Sequence, residues 1–150
     1  MALELSKKVI LIADDDDDDI MFAKKAIKAN CSKNELDIRI VKNGEELLEY
    51  LRGEGEFKDG ENPKPSVIFL DIKMPKMDGL KALDIIKNDD DFKSIPVIIL
   101  SSSGSEGDVD HGYNRGANSY IVKPSIYNEL EIIMEKMKKF WFEAAELPKG

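Results

Sequence analysis

Short apolar runs of strand length alternate along this chain with stretches in which apolar residues recur every three or four positions. Val9 to Ala13 is a continuous apolar run and reads as a buried strand; from Ile20, the spacing of Ile20, Ala23 and Ile27 is helical. Leu36, Ile38 and Ile40 alternate with Asp37 and Arg39, the pattern of an edge strand with one wetter face. Asn43 and Glu46 form a capping pair ahead of Leu47, Leu48 and Leu51. Residues 53–64, rich in Gly, Pro and charge, predict a loop.

Val67 to Leu70 predicts a second buried strand, ending at Asp71, and Leu80, Leu83 and Ile86 mark the next helix. Val97 to Leu100, opened by Pro96, ends at Ser101; a helix over 106–115 follows, weakened by Gly107 and Gly112. Tyr120 to Val122 predicts a fifth strand, ending at Lys123-Pro124. The last helix places Ile126, Leu130, Ile133 and Met137 on a core stripe and carries Phe140, Trp141 and Phe142 near its end.

Five strand–helix units imply a parallel sheet with helices on both faces, an α/β fold with one domain over residues 1–150 and residues 141–150 as a C-terminal extension. The flavodoxin-like (βα)5 order 2-1-3-4-5 is the common doubly wound solution, with its ligand site at the carboxyl ends of strands one and three. No repeat or linker for a second domain is evident, and no further domain is expected.

Charge narrows the classes of function. Of 150 residues, 35% are charged, and the net charge is −8 with a pI near 4.8. Such a surface repels phosphate backbones, which argues against nucleic-acid binding. No segment has the length and hydropathy of a membrane span, and residues 1–8 lack the pattern of a secretion signal. The single cysteine, Cys31, allows no internal disulfide, which fits a cytoplasmic location.

The polar residues that end the strands carry the chemistry. Asp14 and Asp15 end strand one, Asp71 strand three, Ser101 strand four and Lys123 strand five, all on the carboxyl edge of the sheet. Three carboxylates meeting there would repel one another unless a cation joined them, and a few hard oxygens completed by water suit Mg²⁺. Three carboxylate charges then stand against two from the metal and one from Lys123. A carboxylate in that setting can attack a phosphoryl group.

The segments VILIADD (9–15), FLDIKMPKMDGL (69–80), IPVIILS (95–101) and GANSYIVKP (116–124) resemble response-regulator receiver domains of two-component signalling. The resemblance implies that Asp71 accepts a phosphoryl group from a sensor histidine kinase or phosphotransfer protein. It implies that Asp15 and Asp71 ligate Mg²⁺, with Asp14 acting mainly through water and Lys73 through its backbone carbonyl. Ser101 would bind a phosphoryl oxygen, Lys123 would pair with the phosphoryl group or free carboxylate, and Tyr120 would change rotamer as Ser101 moves. Lys123-Pro124 would be a cis peptide. The loop at 53–64 and the aromatic C-terminus resemble the single-domain regulators associated with bacterial phytochromes, which implies a phytochrome-type kinase as donor. The pattern is that of a signalling switch rather than an enzyme.

Plainer readings cover other residues. Asp16 to Asp19 read as a solvated helix start, Asp78 as a cap, and Ser102 and Ser105 as loop and cap residues. A phosphohydrolase of the haloacid-dehalogenase type needs an acid two residues after its nucleophile, where this chain has Lys73. An acidic binding module that never takes phosphate is disfavoured by the set Asp71, Ser101 and Lys123. Finally, Ile132, Met134 and the aromatics 140–142 lie outside the core stripe of the last helix, which predicts a homodimer through that helix and its extension.

Overall fold

The computed structural model describes residues 7–29, 31 and 35–148; the reading of the first six residues and the last two of the extension lie outside that range. Five strands, β1 (Lys8–Ala13), β2 (Leu36–Val41), β3 (Val67–Leu70), β4 (Val97–Ser101) and β5 (Ser119–Val122), alternate with helices α1 (Asp17–Ala29), α2 (Gly44–Arg52), α3 (Gly79–Lys87), α4 (Glu106–Asn114) and α5 (Tyr127–Lys138). All pairings are parallel, in the order β2-β1-β3-β4-β5. The loop expected at 53–64 contains a short 3-10 turn, Gly55–Phe57.

Strand alternation divides the core in two. Leu11, Ala13, Ile68, Leu70, Val97 and Ile99 face α2 and α3, with Leu47, Leu48, Leu51, Leu83 and Ile86 against them. Ile10, Ile12, Val67, Phe69, Ile98 and Leu100 face the other way, toward Ala23, Ala26 and Ile27 of α1 and Leu130 and Met134 of α5. β1, β3 and β4 are therefore buried on both sides, while β2 and β5 form the half-covered edges.

Caps fix where the helices begin. Asn43 Oδ1 accepts from the Glu46 amide at 2.8 Å, Asp78 Oδ1 from Lys81 at 2.9 Å and Ser105 Oγ from Asp108 at 3.2 Å. The chain between β3 and α3 is drawn tight. The Met77 amide bonds to the Pro75 carbonyl at 2.7 Å across Lys76, whose φ of 64° is positive, a strained three-residue turn. The Gly79 amide then bonds back to the Ile72 carbonyl at 2.7 Å.

The last helix corrects the predicted register. Its core stripe is Leu130, Met134, Met137 and Trp141, whereas Ile126 precedes the helix and is 55% exposed. Both registers satisfy a period of 3.6, and only packing against α1 and the sheet distinguishes them. Met134, expected outside the core, is buried. Residues Lys139–Ala144 form a wider π-helical turn closed by the Ala145 amide on the Phe140 carbonyl at 2.7 Å. Trp141, Phe142 and Leu147 then pack against the second core, so the extension folds back on its own domain, while Ile132 and Phe140 remain 52% and 56% exposed.

Two glycines separate close approach from mere flexibility. A Cβ on Gly79 would sit 2.0 Å from the Asp71 carbonyl oxygen, whereas one on Gly107 would meet nothing within 4 Å. Gly79→Ala should destabilise the fold by about 2–4 kcal/mol through backbone displacement. Gly107→Ala should stabilise it by about 0.5–1 kcal/mol through helix propensity. Urea unfolding midpoints of the two variants check both values.

Candidate functional site

The carboxyl edge gathers the residues expected there. β1 ends at Ala13, so the next two residues project beyond the sheet; the Asp14 amide is held by the Val41 carbonyl at 3.1 Å, and the Asp71 amide by the Ala13 carbonyl at 2.9 Å. These bonds extend the sheet pairing by one residue on each side of β1. Asp14, Asp15 and Asp71 each offer a carboxylate oxygen, all within 4.8 Å of one another, with Asp14 buried and Asp15 exposed. Hard anionic oxygens at that spacing suit a divalent cation, and the open side at Asp15 leaves room for water in its shell.

Lys123 reaches this cluster from the end of β5. Its Nζ donates to Asp14 Oδ2 at 2.7 Å and to Asp19 Oδ2 at 2.9 Å, and stands 3.6 Å from Asp71 Oδ2. Burial alone would depress its basicity, but hydrogen bonds to Asp14 and Asp19 and the charge of Asp71 carry its pKa up to about 12. Asp71 moves the other way for a carboxyl group: burial, with help from the Asp14 charge, pushes its pKa up to about 6 against the opposing pull of Lys123 and of the Ile72 amide, which donates to Asp71 Oδ1 at 2.8 Å.

Ser101 and Tyr120 lie on a connected path beside the cluster. The buried Ser101 Oγ accepts from the Ser103 amide at 3.2 Å, and the Lys123 amide bonds to the Ser101 carbonyl at 2.7 Å. The Tyr120 hydroxyl donates to the Ser103 carbonyl at 2.6 Å, and Ser103 Oγ donates to Asp108 of α4 at 2.5 Å. One loop thus links β4, β5 and α4. Lys73 stands exposed on the loop after Asp71.

Residues 10–135 match the response regulator receiver domain. The chain belongs to that family. The response regulator Rcp1 of Synechocystis sp. is 33% identical over 141 residues, which cover 94% of this chain and 93% of Rcp1. Among solved structures, the phosphorylated cyanobacterial phytochrome response regulator RcpA matches with a TM-score of 0.88 at 35% identity, covering 96% of this chain and 100% of that one. The Mn²⁺-bound form of Rcp1 matches with a TM-score of 0.85 at 32% identity, covering 95% and 99%.

Receiver domains are signalling switches of two-component systems and bind a divalent metal at an acidic site, so the haloacid-dehalogenase reading gives way. Two expectations from the sequence need correction. No cis peptide occurs among the described residues, so the Lys123-Pro124 bond is trans, the isomer that an X–Pro bond favours by about 0.5–1 kcal/mol; Lys123 reaches Asp14 and Asp19 with the bond in that form. Asp19 is also not merely solvated. It lies in the first turn of α1, where side chains lean back toward the helix start and here toward Lys123. The run of six acids concealed this, because nothing in the sequence separates its last member from its neighbours. The others behave as solvated caps: Asp16 Oδ1 accepts from the Asp19 amide, Asp17 pairs with Lys42, and Asp18 is exposed.

A raised carboxyl pKa means that the folded domain holds the Asp71 proton more tightly than the unfolded chain does. Ionising Asp71 therefore costs stability, a cost absent below its ordinary value of 3.8 and fully present above about 6. Without metal, Asp71→Asn should raise unfolding stability by about 1–2 kcal/mol at neutral pH, and the gain should vanish as the pH falls toward about 4. Denaturant titrations across that pH range, in a chelator, read the difference directly.

Proposed function

We propose that the domain is a Mg²⁺-dependent phosphoacceptor switch whose acceptor is Asp71, fed by a sensor histidine kinase of the phytochrome type or a phosphotransfer protein. The observation that carries this reading is the meeting of Asp14, Asp15 and Asp71 with Lys123 at the switch point of the sheet. The phytochrome assignment rests on the likeness to RcpA, described as a phytochrome response regulator.

In the transfer, an Asp71 carboxylate oxygen attacks phosphorus while the phosphorus–nitrogen bond of a phosphohistidine breaks, its electron pair staying on the imidazole, which takes up a proton. Asp14, Asp15 and Asp71, with the Lys73 backbone carbonyl, would hold the Mg²⁺, which supplies charge neutralisation for the transferring oxygens. Lys123 remains within 4 Å of the acceptor to pair with the added charge. Ser101 would donate to a phosphoryl oxygen by turning its hydroxyl away from the Ser103 amide. Since the Ser103 carbonyl also holds the Tyr120 hydroxyl, that turn shifts the loop and biases Tyr120 between two rotamers.

Incubation with Mg²⁺ and acetyl phosphate should add the mass of one phosphoryl group to the wild type and none to Asp71→Asn. Labelling that persists in the variant would remove Asp71 from the role.

The signal has a second surface available to it. Ile132 of α5 and Phe140 of the π-helical turn that follows it are both exposed, and Phe140 stacks edge-on against Trp141 at 5.0 Å between ring centroids. A homodimer that packs on both of these exposed residues would cover them. Light scattering of the wild type and of Ile132→Asp should show a dimer for the first and a monomer for the second. A wild type that stays monomeric at tens of micromolar, with and without phosphodonor, excludes this assembly.

A further inference from the structure

We propose that Asp19 is a positioning residue that holds the Lys123 ammonium away from Asp71 in the unphosphorylated domain, and so limits how far the phosphorylated form accumulates. This rests on Asp71 being the acceptor. Three carboxylates surround Lys123 Nζ, but only two accept hydrogen bonds: Asp14 at 2.7 Å and Asp19 at 2.9 Å, with Asp71 at 3.6 Å beyond hydrogen-bond range. The two bonded partners differ in what they can release. The Asp14 side chain is 6% exposed and would be left buried with an unpaired charge, whereas the Asp19 side chain is 42% exposed and water can replace the ammonium. Asp19 is therefore the partner that exchanges.

Its backbone is anchored. The Asp19 amide donates to Asp16 Oδ1 at 3.0 Å in the first turn of α1, so the carboxylate is presented to Lys123 rather than drifting into contact with it. Phosphorylation of Asp71 replaces one negative charge by about two and adds acceptor oxygens. Lys123 has a third N–H for that stronger partner, and as the ammonium turns toward it the hold of the more exposed Asp19 is the one that weakens. The charge count works the same way. With Asp19 included, four carboxylates face the three positive charges of Mg²⁺ and Lys123, so a phosphoryl group enters a site that is already net negative. The long-range repulsion is shared with any acid of the run, but the contact with Lys123 belongs to Asp19.

Asp19→Asn, Asp19→Glu and Asp18→Asn separate these effects. Asp18 is exposed in the same turn and its substitution removes the same charge. With Mg²⁺ and a fixed concentration of acetyl phosphate, the ratio of phosphorylated to free protein by intact mass should rise about 3–5-fold in Asp19→Asn and less than about 2-fold in Asp18→Asn. Asp19→Glu, which keeps a carboxylate within reach of Lys123, should return the ratio close to that of the wild type, a rescue that a purely structural role for Asp19 would not produce. Equal ratios in Asp19→Asn and Asp18→Asn, or a lower ratio in Asp19→Asn than in the wild type, overturn the proposal. A wild type that takes no phosphoryl group at all refutes the acceptor assignment instead, so the two failures are distinct.

Discussion

Everything at the carboxyl edge of this domain turns on one ammonium group among carboxylates. Asp14 and Asp71 are held side by side because the strands they follow, β1 and β3, pair as neighbours in the sheet, and the resulting repulsion cannot be relieved by moving apart without breaking sheet hydrogen bonds. Lys123 offsets part of it, which is why its own pKa rises although burial opposes this, while Asp71, the carboxylate not hydrogen-bonded to it, is left with a raised one. The site is therefore held short of positive charge, a condition that favours binding a cation.

The backbone around Asp71 is shaped to keep that arrangement. Gly79 lets α3 begin against the Asp71 carbonyl, and the positive φ of Lys76 closes a three-residue turn that returns the chain to that point. Both features are costly away from this context, and both are compensated by the two apolar layers that clamp β1, β3 and β4. Rigidity at the carboxylates contrasts with the β4–α4 side. There, Ser101 at the end of β4, Ser103 in the loop, Asp108 of α4 and Tyr120 of β5 are joined by single hydrogen bonds. Under the proposed function, this loop beside the rigid site is where a change of charge at Asp71 would be felt.

The C-terminal extension belongs to the body of the domain as much as to any interface. The π-helical turn adds residues to the last turns of the helix, so that Trp141 and Phe142 both reach the second core while Phe140 turns outward. Its apolar residues thus divide between covering the domain's own core and standing free on the surface.

Much of this was legible in the sequence. Continuous apolar runs marked β1, β3 and β4, alternation marked β2 as an edge, and residues that end strands in a parallel sheet must lie on one edge, so Asp14, Asp15, Asp71, Ser101 and Lys123 were brought together by topology alone. What the sequence left open were choices of phase and partner. The stripe Ile126–Leu130–Ile133–Met137 and the observed Leu130–Met134–Met137–Trp141 have the same period, and only contact with α1 and the sheet chooses between them. Asp19 is chemically identical to the acids before it; the geometry of the first turn of α1, set by where that helix packs, decides that it alone in the helical part of the run reaches Lys123. Period and residue type are local properties, whereas phase and partnership depend on the positions of elements distant in the chain, and only the assembled tertiary structure supplies those.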